Sequence, residues 1–248
     1  MSESSVDYEL FYWPGIPGRG EFIRLALEDS GARYLDVARG PEGVKAIMRM
    51  LRGEGFAGAP PFAPPVLKHG ALVLAQVANI LHYLGPKLGL APTDEAGSQH
   101  ALQLQLTIAD LVAEVHDTHH PLSNALYYED QKDAARQRSV IFVSQRMPKF
   151  LGYFERTLAR NGAGEHLVGD ATSYVDLSLF QVVEGLRYAF PRAMAAVEPT
   201  VPMVVALRDR VAARPGIAAY LISPRRLAFN QNGIFRRYPE LDLAPGEE

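Results

Sequence analysis

The chain of 248 residues contains no cysteine. The absence of thiol groups excludes a disulfide framework and a metal site built from thiolates. It also excludes dithiol exchange and a cysteine nucleophile, because both need a thiolate of the protein. Any thiol chemistry at this protein must therefore use a thiol that the ligand brings.

Long apolar runs and a strong charge of one sign are also missing. No run approaches the roughly 20 apolar residues that cross a bilayer. The net charge of −3 gives no electrostatic reason to expect a nucleic-acid partner. The first residues are polar and lack the basic and apolar regions of a signal peptide. With 48% hydrophobic and 21% charged residues, we expect a globular cytoplasmic protein without a membrane or nucleic-acid partner.

The segment from Tyr8 to Leu27 predicts a strand, a sharp loop and a helix. Residues 8–12 alternate as a strand with two different faces does, and proline and glycine interrupt residues 14–20. In the helix that follows, we expect Phe22, Ile23, Ala26 and Leu27 on the apolar face and Glu21, Arg24 and Glu28 on the exposed face.

Tyr12 lies between the end of this strand and the start of this helix. The first amide groups of a helix have no internal partner and attract negative charge. A tyrosine hydroxyl at that point could donate a hydrogen bond to a thiolate or an oxyanion. The alternative interpretation is structural, with Tyr12 packed under the loop.

The residues up to about 86 predict a small mixed sheet with helices. A second strand is expected at residues 33–37, and a short helix between Val44 and Leu51. Its basic residues Lys45, Arg49 and Arg52 form either a solvated face or a contact to a ligand carboxylate. A hairpin at residues 66–74 and a helix from Val77, ended by Gly85-Pro86, complete a thioredoxin-like order of elements.

Residues 85–98 are rich in glycine and proline and predict a linker, after which the pattern is helical. We expect Ser98 to cap the first of these helices and Pro148 to start or kink a later one. Ser173 and Asp176 predict a capping box, with aspartate in place of the usual glutamate. Residues 224–242 are rich in aromatic and basic residues and either fold over the cleft between domains or pack as a surface tail.

Three histidines form a candidate metal cluster. If residues 98–120 are helical, His116, His119 and His120 share one face, as metal ligands on a helix can. However, Pro121 follows directly and no distant ligand is identifiable in the sequence. We therefore predict no metal.

Tyr12-Trp13, Gly18-Arg19 and Glu21-Phe22-Ile23-Arg24 resemble the start of a cytosolic glutathione transferase of the tyrosine type, which includes the sigma, mu and pi classes. The chain looks like a bacterial member. In this resemblance Pro65 matches a cis-proline, Gln76-Val77 the start of a glutathione-binding helix, and Gly169 to Asp176 the start of a buried helix. The lack of cysteine excludes the cysteine-type members.

Four residues depart from the pattern of that family. Gly15 looks like an insertion in the loop, and Pro17 stands where arginine is common. Val77 replaces a serine whose hydroxyl binds the γ-glutamyl carboxylate of glutathione, a bond worth roughly 1.5–3 kcal/mol. Pro64 precedes the expected cis-proline and lacks the amide hydrogen that would pair with the ligand. We expect weaker glutathione binding than in a typical relative; the alternatives are a different ligand or none.

The resemblance implies a fold of two domains: an α/β thioredoxin-like glutathione-binding domain at residues 1–86, and an all-α domain with a C-terminal tail at residues 98–248. It implies a transferase of alkyl or aryl groups, with a detoxifying role, that conjugates glutathione to a hydrophobic electrophile. The alternative is a non-catalytic glutathione-transferase-like binding protein.

The site residues that the resemblance implies fall into groups. Tyr12 would stabilise the thiolate. Glutathione would contact Trp13, Arg19, Lys45, Pro64, Pro65, Gln76 and Val77. The second substrate would meet His116, His119, Tyr127 and Tyr128. Asp110 would reach the ligand of the partner subunit in a homodimer. Glutathione is expected as the co-substrate, with no metal.

Overall fold

The computed structural model describes residues 6–162 and 164–242. Four short strands form one sheet in the order β2-β1-β3-β4. Their bounds are β1 Tyr8–Phe11, β2 Tyr34–Asp36, β3 Val66–His69 and β4 Leu72–Ala75. β1 is parallel to β2 and antiparallel to β3, and β3 and β4 form the predicted hairpin.

Three helices accompany the sheet: α1 Gly20–Asp29, α2 Gly43–Leu51 and α3 Val77–Leu88. α3 does not end at Gly85-Pro86, as the sequence predicted, but continues to Leu88 and is closed by Gly89 in the left-handed conformation. Gly85 is where α3 meets the helical half of the chain, because a β-carbon there would lie 2.7 Å from the ring of Tyr174.

After α3 the described residues contain helices and no strand. The α-helices are α4 Glu95–Asp117, α5 Lys132–Ile141, α6 Met147–Arg160, α7 Tyr174–Ala189, α8 Pro191–Val197, α9 Pro202–Ala212 and α10 Pro215–Leu221. This all-helical half confirms the predicted fold class, an α/β unit followed by an all-α unit. No helix among residues 6–162 and 164–242 is long and apolar enough to span a bilayer.

Some of the helix starts lie where the sequence predicted them, and one does not. The capping box of Ser173 and Asp176 is present at the start of α7, and Pro148 lies in the first turn of α6. A π-helical turn, Phe142–Arg146, joins α5 to α6. α4 begins earlier than predicted, because Asp94, not Ser98, is its cap and accepts a hydrogen bond from the Gly97 amide at 2.8 Å.

Glu21 and Arg24 were predicted to be exposed, but both are fully buried in the structure. Arg24 bonds to Glu21 at 3.1 Å and to Asp36 at 2.7 Å, and Glu21 also accepts bonds from Tyr220 and Arg226. α1 is therefore buried on two sides, by the sheet and by the helical half. On the side that faces the helical half, the buried charges of α1 are paired with other charged or polar side chains. The pattern of apolar residues in the sequence does not reveal such pairing.

The C-terminal segment, residues 224–242, matches neither sequence interpretation fully. Ile234, Phe235 and Leu241 are buried in the core of the helical half, so the segment is not a surface tail. Asp242 accepts hydrogen bonds from the backbone amides of Arg192 and Ala193 at the start of α8. Asn230 donates to the carbonyl oxygen of Gly15, which brings the segment to the loop before α1.

Candidate functional site

A cavity of about 810 Å³ lies where the two halves meet. The α/β side contributes Arg19 from the loop before α1, Pro64 and Pro65, and the first residues of α3. The helical side contributes one face of α4. Its wall is mainly apolar with a few polar groups, which is typical of a small-molecule site.

Tyr12 is not among the residues that line this cavity, but it is bonded to Arg19, which lines it. Tyr12 follows β1, and the backbone amide of Arg19 donates a hydrogen bond to its hydroxyl oxygen at 2.8 Å. The residue is only 4% exposed. Burial raises the pKa of Tyr12, against the opposing effects of the Arg19 amide and of the charges on Arg19 and Arg24. The phenol is therefore neutral at neutral pH, and its hydrogen remains available for donation.

Two glycines allow the loop to close over Tyr12. A β-carbon at Gly18 would collide with the Tyr12 hydroxyl, and one at Gly20 would lie 2.6 Å from the ring. Gly18 also has a φ of +47°, which favours glycine. By contrast, a β-carbon at Gly15 would meet nothing within 4 Å. The two glycines therefore determine where the hydroxyl lies.

The start of α3 forms part of the cavity wall. Val77, Ala78 and Asn79 line the cavity, and Gln76, the residue before the helix, makes no side-chain cap. Gln76 has φ 71° and is the single non-glycine residue with positive φ in the described part of the chain. Such strained backbone conformations cluster at functional sites. The first amides of α3 thus face a cavity that could hold an anion.

Pro64 and Pro65 lie beside these amides, and the peptide bond between them is cis, as the sequence predicted. Pro64 has a carbonyl but no amide hydrogen to offer a ligand. Phe62, just before them, is 94% exposed at the rim.

The wall from α4 contains a buried polar group that sequence reasoning missed. Gln105 is 1% exposed, lines the cavity, and its Oε1 has no hydrogen-bond partner. Its neighbours on this wall are apolar: Leu102, Leu106, Ile108, Ala109 and Val112. The sequence did contain a sign of this burial. Gln105 follows Ala101 by four residues and precedes Ile108 by three, which places it on the apolar face of α4.

The predicted glutathione-binding residues are not all at this cavity. Arg19, Pro64, Pro65, Gln76 and Val77 line it. Trp13 packs instead, partly buried, against the small core cluster that contains Phe11 and Ile47. Lys45 is exposed on α2 and lines a separate depression of about 340 Å³.

The predicted second-substrate residues do not line the cavity either. His119 and Tyr128 are buried, and each contacts the C-terminal segment: His119 through the Ile234 carbonyl, and Tyr128 through Glu240 and the ring of Tyr238. Tyr127 is exposed and His116 is half-buried near the end of α4. Asp110 is exposed on α4, next to the cavity-lining Ala109. These assignments stay predictions.

Comparisons with known proteins agree with this architecture. Residues 116–224 match the family described as "Glutathione S-transferase, C-terminal domain". The chain is 24% identical over 213 residues to a glutathione S-transferase of Plasmodium yoelii yoelii, covering 86% of this chain and 92% of that protein. It is 28% identical over 232 residues to the human glutathione S-transferase P, covering 91% and 98% respectively.

Solved structures show the same fold. A Pi-class glutathione S-transferase of Onchocerca volvulus superposes with a TM-score of 0.70 at 23% identity, over 92% of this chain and 99% of that one. The prostaglandin synthase D of Nilaparvata lugens gives a TM-score of 0.68 at 19% identity, over 89% and 99%. Residues 116–224 are thus similar to the C-terminal domain of glutathione S-transferases, and the chain as a whole shares the fold of the solved glutathione S-transferase.

Proposed function

We propose that this protein is a glutathione transferase of the tyrosine type, which conjugates the glutathione thiolate to a hydrophobic electrophile. The observation that carries the proposal is the position of the Tyr12 hydroxyl. It accepts a hydrogen bond from the amide of Arg19, just before α1, and Arg19 lines the cavity between the two halves. The named relatives support the same activity. The relatives reported above are eukaryotic, so a bacterial source stays a prediction.

Tyr12 would act as a hydrogen-bond donor to the glutathione sulfur. The amide of Arg19 occupies a lone pair of its oxygen, which leaves the hydroxyl hydrogen for the thiolate. A free thiol has a pKa of about 8.5. Lowering it by two units requires about 2.7 kcal/mol of preferential interaction with the thiolate. A neutral donor and the positive end of α1 can together supply an interaction of that size.

The γ-glutamyl carboxylate would bind at the start of α3. The amides of Val77 and Ala78 lack a side-chain cap, and the helix dipole favours an anion there. Pro64 would offer its carbonyl to the cysteinyl unit of glutathione. Trp13 and Lys45 would contribute only if they moved from the positions described above.

The electrophile would lie against the apolar wall of α4. In the reaction the thiol proton leaves to solvent, and the sulfur lone pair forms a bond to the electrophilic carbon. The leaving group departs with its bonding electron pair. Exclusion of water by Leu106, Ile108 and Val112 would strengthen the hydrogen bond that Tyr12 makes to the sulfur.

We also propose that the protein is a homodimer. Phe62, which is 94% exposed, and the exposed Leu106 of α4 both line the cavity. A two-fold contact between copies would bury both side chains and bring Asp110 towards the ligand of the partner subunit. Light scattering should give a mass near twice the 27.3 kDa of one chain, and Phe62→Ser should shift the dimer towards monomer. A mass of one chain would exclude the dimer and the role of Asp110.

The alternative, a non-catalytic binding protein, is favoured by Val77 and Pro64, which remove two usual contacts to glutathione. Calorimetric titration with glutathione, followed by an assay with an activated aryl halide, separates the alternatives. Binding with conjugation supports the transferase. Binding without conjugation supports the binding protein, and no binding contradicts both and assigns the cavity to another ligand.

A further inference from the structure

Three imidazole rings meet where α4 ends. His116 lies in the last turn of α4, and His119 and His120 follow in the next turn of the chain. One ring nitrogen of each lies within 4.8 Å of the others. The ring centroids are 5.0 Å apart for His116 and His119, and 4.8 Å apart for His119 and His120. The three side chains thus form one compact cluster, outside the cavity described above.

The tautomer of His119 follows from its hydrogen bond to the C-terminal segment. Its Nε2 lies 2.7 Å from the carbonyl oxygen of Ile234, and a carbonyl can only accept. Nε2 therefore carries the hydrogen, and Nδ1 presents a lone pair. A backbone carbonyl that orients an imidazole in this way is the usual outer partner of a metal-binding histidine.

The lone pair of His119 points at a second imidazole. Nδ1 of His119 and Nδ1 of His120 are 2.6 Å apart, so one proton is held between them. A metal ion can take the place of that proton once the hydrogen of the neutral His120 ring is carried on Nε2 and its Nδ1 presents a lone pair. Nitrogens at about 2.0–2.1 Å from a tetrahedral zinc ion lie roughly 3.3 Å apart. The two rings would have to separate by less than an ångström.

The charges around the cluster are mixed. The Asp117 carboxylate lies 3.7 Å from Nδ1 of His116 and favours a cation. Arg19 and Arg236 are close enough to lower the pKa values of the cluster, and their charges oppose a cation. We therefore expect moderate rather than very tight affinity.

We propose that His116, His119 and His120 form a binding site for one late first-row divalent transition-metal ion, such as Zn²⁺. Three neutral imidazoles suit zinc, copper and nickel, and a water molecule would complete a tetrahedral site. Because Ile234 holds His119, the bound ion would tie the end of α4 to the C-terminal segment. The proposal is independent of glutathione chemistry.

The test is calorimetric titration of the tag-free protein with Zn²⁺ alone. We expect saturable binding of one ion per chain. His120→Ala should weaken the affinity at least roughly ten-fold, since one ligand of three is lost. His116→Asn, which removes the ligand on α4, should weaken the affinity for Zn²⁺ to a similar extent. His100→Ala is the matched control, because His100 is an exposed histidine of the same helix and should leave the affinity unchanged.

Thermal unfolding provides a second readout for the same variants. An ion that binds only the native state raises the melting temperature. Zn²⁺ should therefore raise it equally in the native protein and in His100→Ala, and by less at the same Zn²⁺ concentration in His120→Ala. No saturable binding, or equal affinity in the native protein, His120→Ala and His116→Asn, would overturn the proposal. If one of these variants does not fold, the other decides the outcome.

Discussion

Two helices begin at the same cavity, and their first turns are built differently. At the start of α1, the protein itself supplies partners: the Arg19 amide bonds to Tyr12, and the Glu21 amide bonds to the Pro17 carbonyl. At the start of α3, no side chain caps the helix, and Val77 contributes only its backbone. The Tyr12 hydroxyl is thus held in place by the protein itself. The amides at the start of α3, by contrast, have no side-chain partner and can bind an anionic group of a ligand.

Removing the Tyr12 hydroxyl should have the largest effect on function. We expect Tyr12→Phe to lower kcat/KM for an activated aryl halide by ten-fold or more, which corresponds to a loss of at least about 1.4 kcal/mol. Glutathione affinity should change little, because the hydrogen bond acts on the thiolate and the carboxylate binds elsewhere. Stopped-flow assays and calorimetry give the two quantities.

The pH profile separates a thiolate donor from a packing residue. If Tyr12 lowers the pKa of the bound thiol, the midpoint of the rate profile should rise in Tyr12→Phe towards the free-thiol value of about 8.5. Burial raises the pKa of Tyr12 itself, so the phenol stays neutral across this range and adds no second transition. Full activity with an unchanged midpoint would mean that Tyr12 only fills space under the loop.

A smaller loss of activity should follow from moving the hydroxyl without removing it. In Gly20→Ala the new β-carbon would lie 2.6 Å from the Tyr12 ring, so the ring must shift. We expect conjugation to fall by about five-fold, since small displacements of a reacting group are costly. The matched control is Gly15→Ala in the same loop, where a β-carbon meets nothing within 4 Å. Equal activity in both variants would show that the position of Tyr12 is not critical.

The parts of the fold that depend on local patterns could be predicted from the sequence. The hairpin of β3 and β4, the capping box at Ser173 and the helical second half all follow from the period of apolar residues and from local hydrogen bonding. The cis bond before Pro65 was expected from the resemblance. These features involve residues close in sequence, whose pattern is visible in one chain.

The rest depends on contacts between distant residues. Arg24 and Glu21 are charged and looked exposed, but both are buried. Asp36 of the same half pairs with Arg24, and Tyr220 and Arg226 of the helical half pair with Glu21. Gln105 looked like part of a helix and is a polar group at the cavity. A sequence pattern gives the spacing of side chains along one element, not the partner that the rest of the chain brings.

An effect of similar size, on binding instead of activity, tests the start of α3. Val77→Ser adds a hydroxyl where the γ-glutamyl carboxylate should bind, and a charge-assisted bond is worth roughly 1.5–3 kcal/mol at best. Desolvation and imperfect geometry should reduce the gain to about 1 kcal/mol, or about five-fold in glutathione affinity. Val77→Ala is the matched control, because it shortens the side chain without adding a hydroxyl.

Calorimetric titration of the three proteins with glutathione gives distinct outcomes. Tighter binding in Val77→Ser alone would support a carboxylate site at the start of α3 that the native chain leaves incomplete. Equal affinity in all three, with tight binding, would mean that the backbone amides of Val77 and Ala78 already satisfy the carboxylate. The start of α3 would then need no side chain to bind the carboxylate. If none of the three proteins binds glutathione, glutathione is not the ligand of this cavity, and the proposed role of Tyr12 in stabilising its thiolate is excluded.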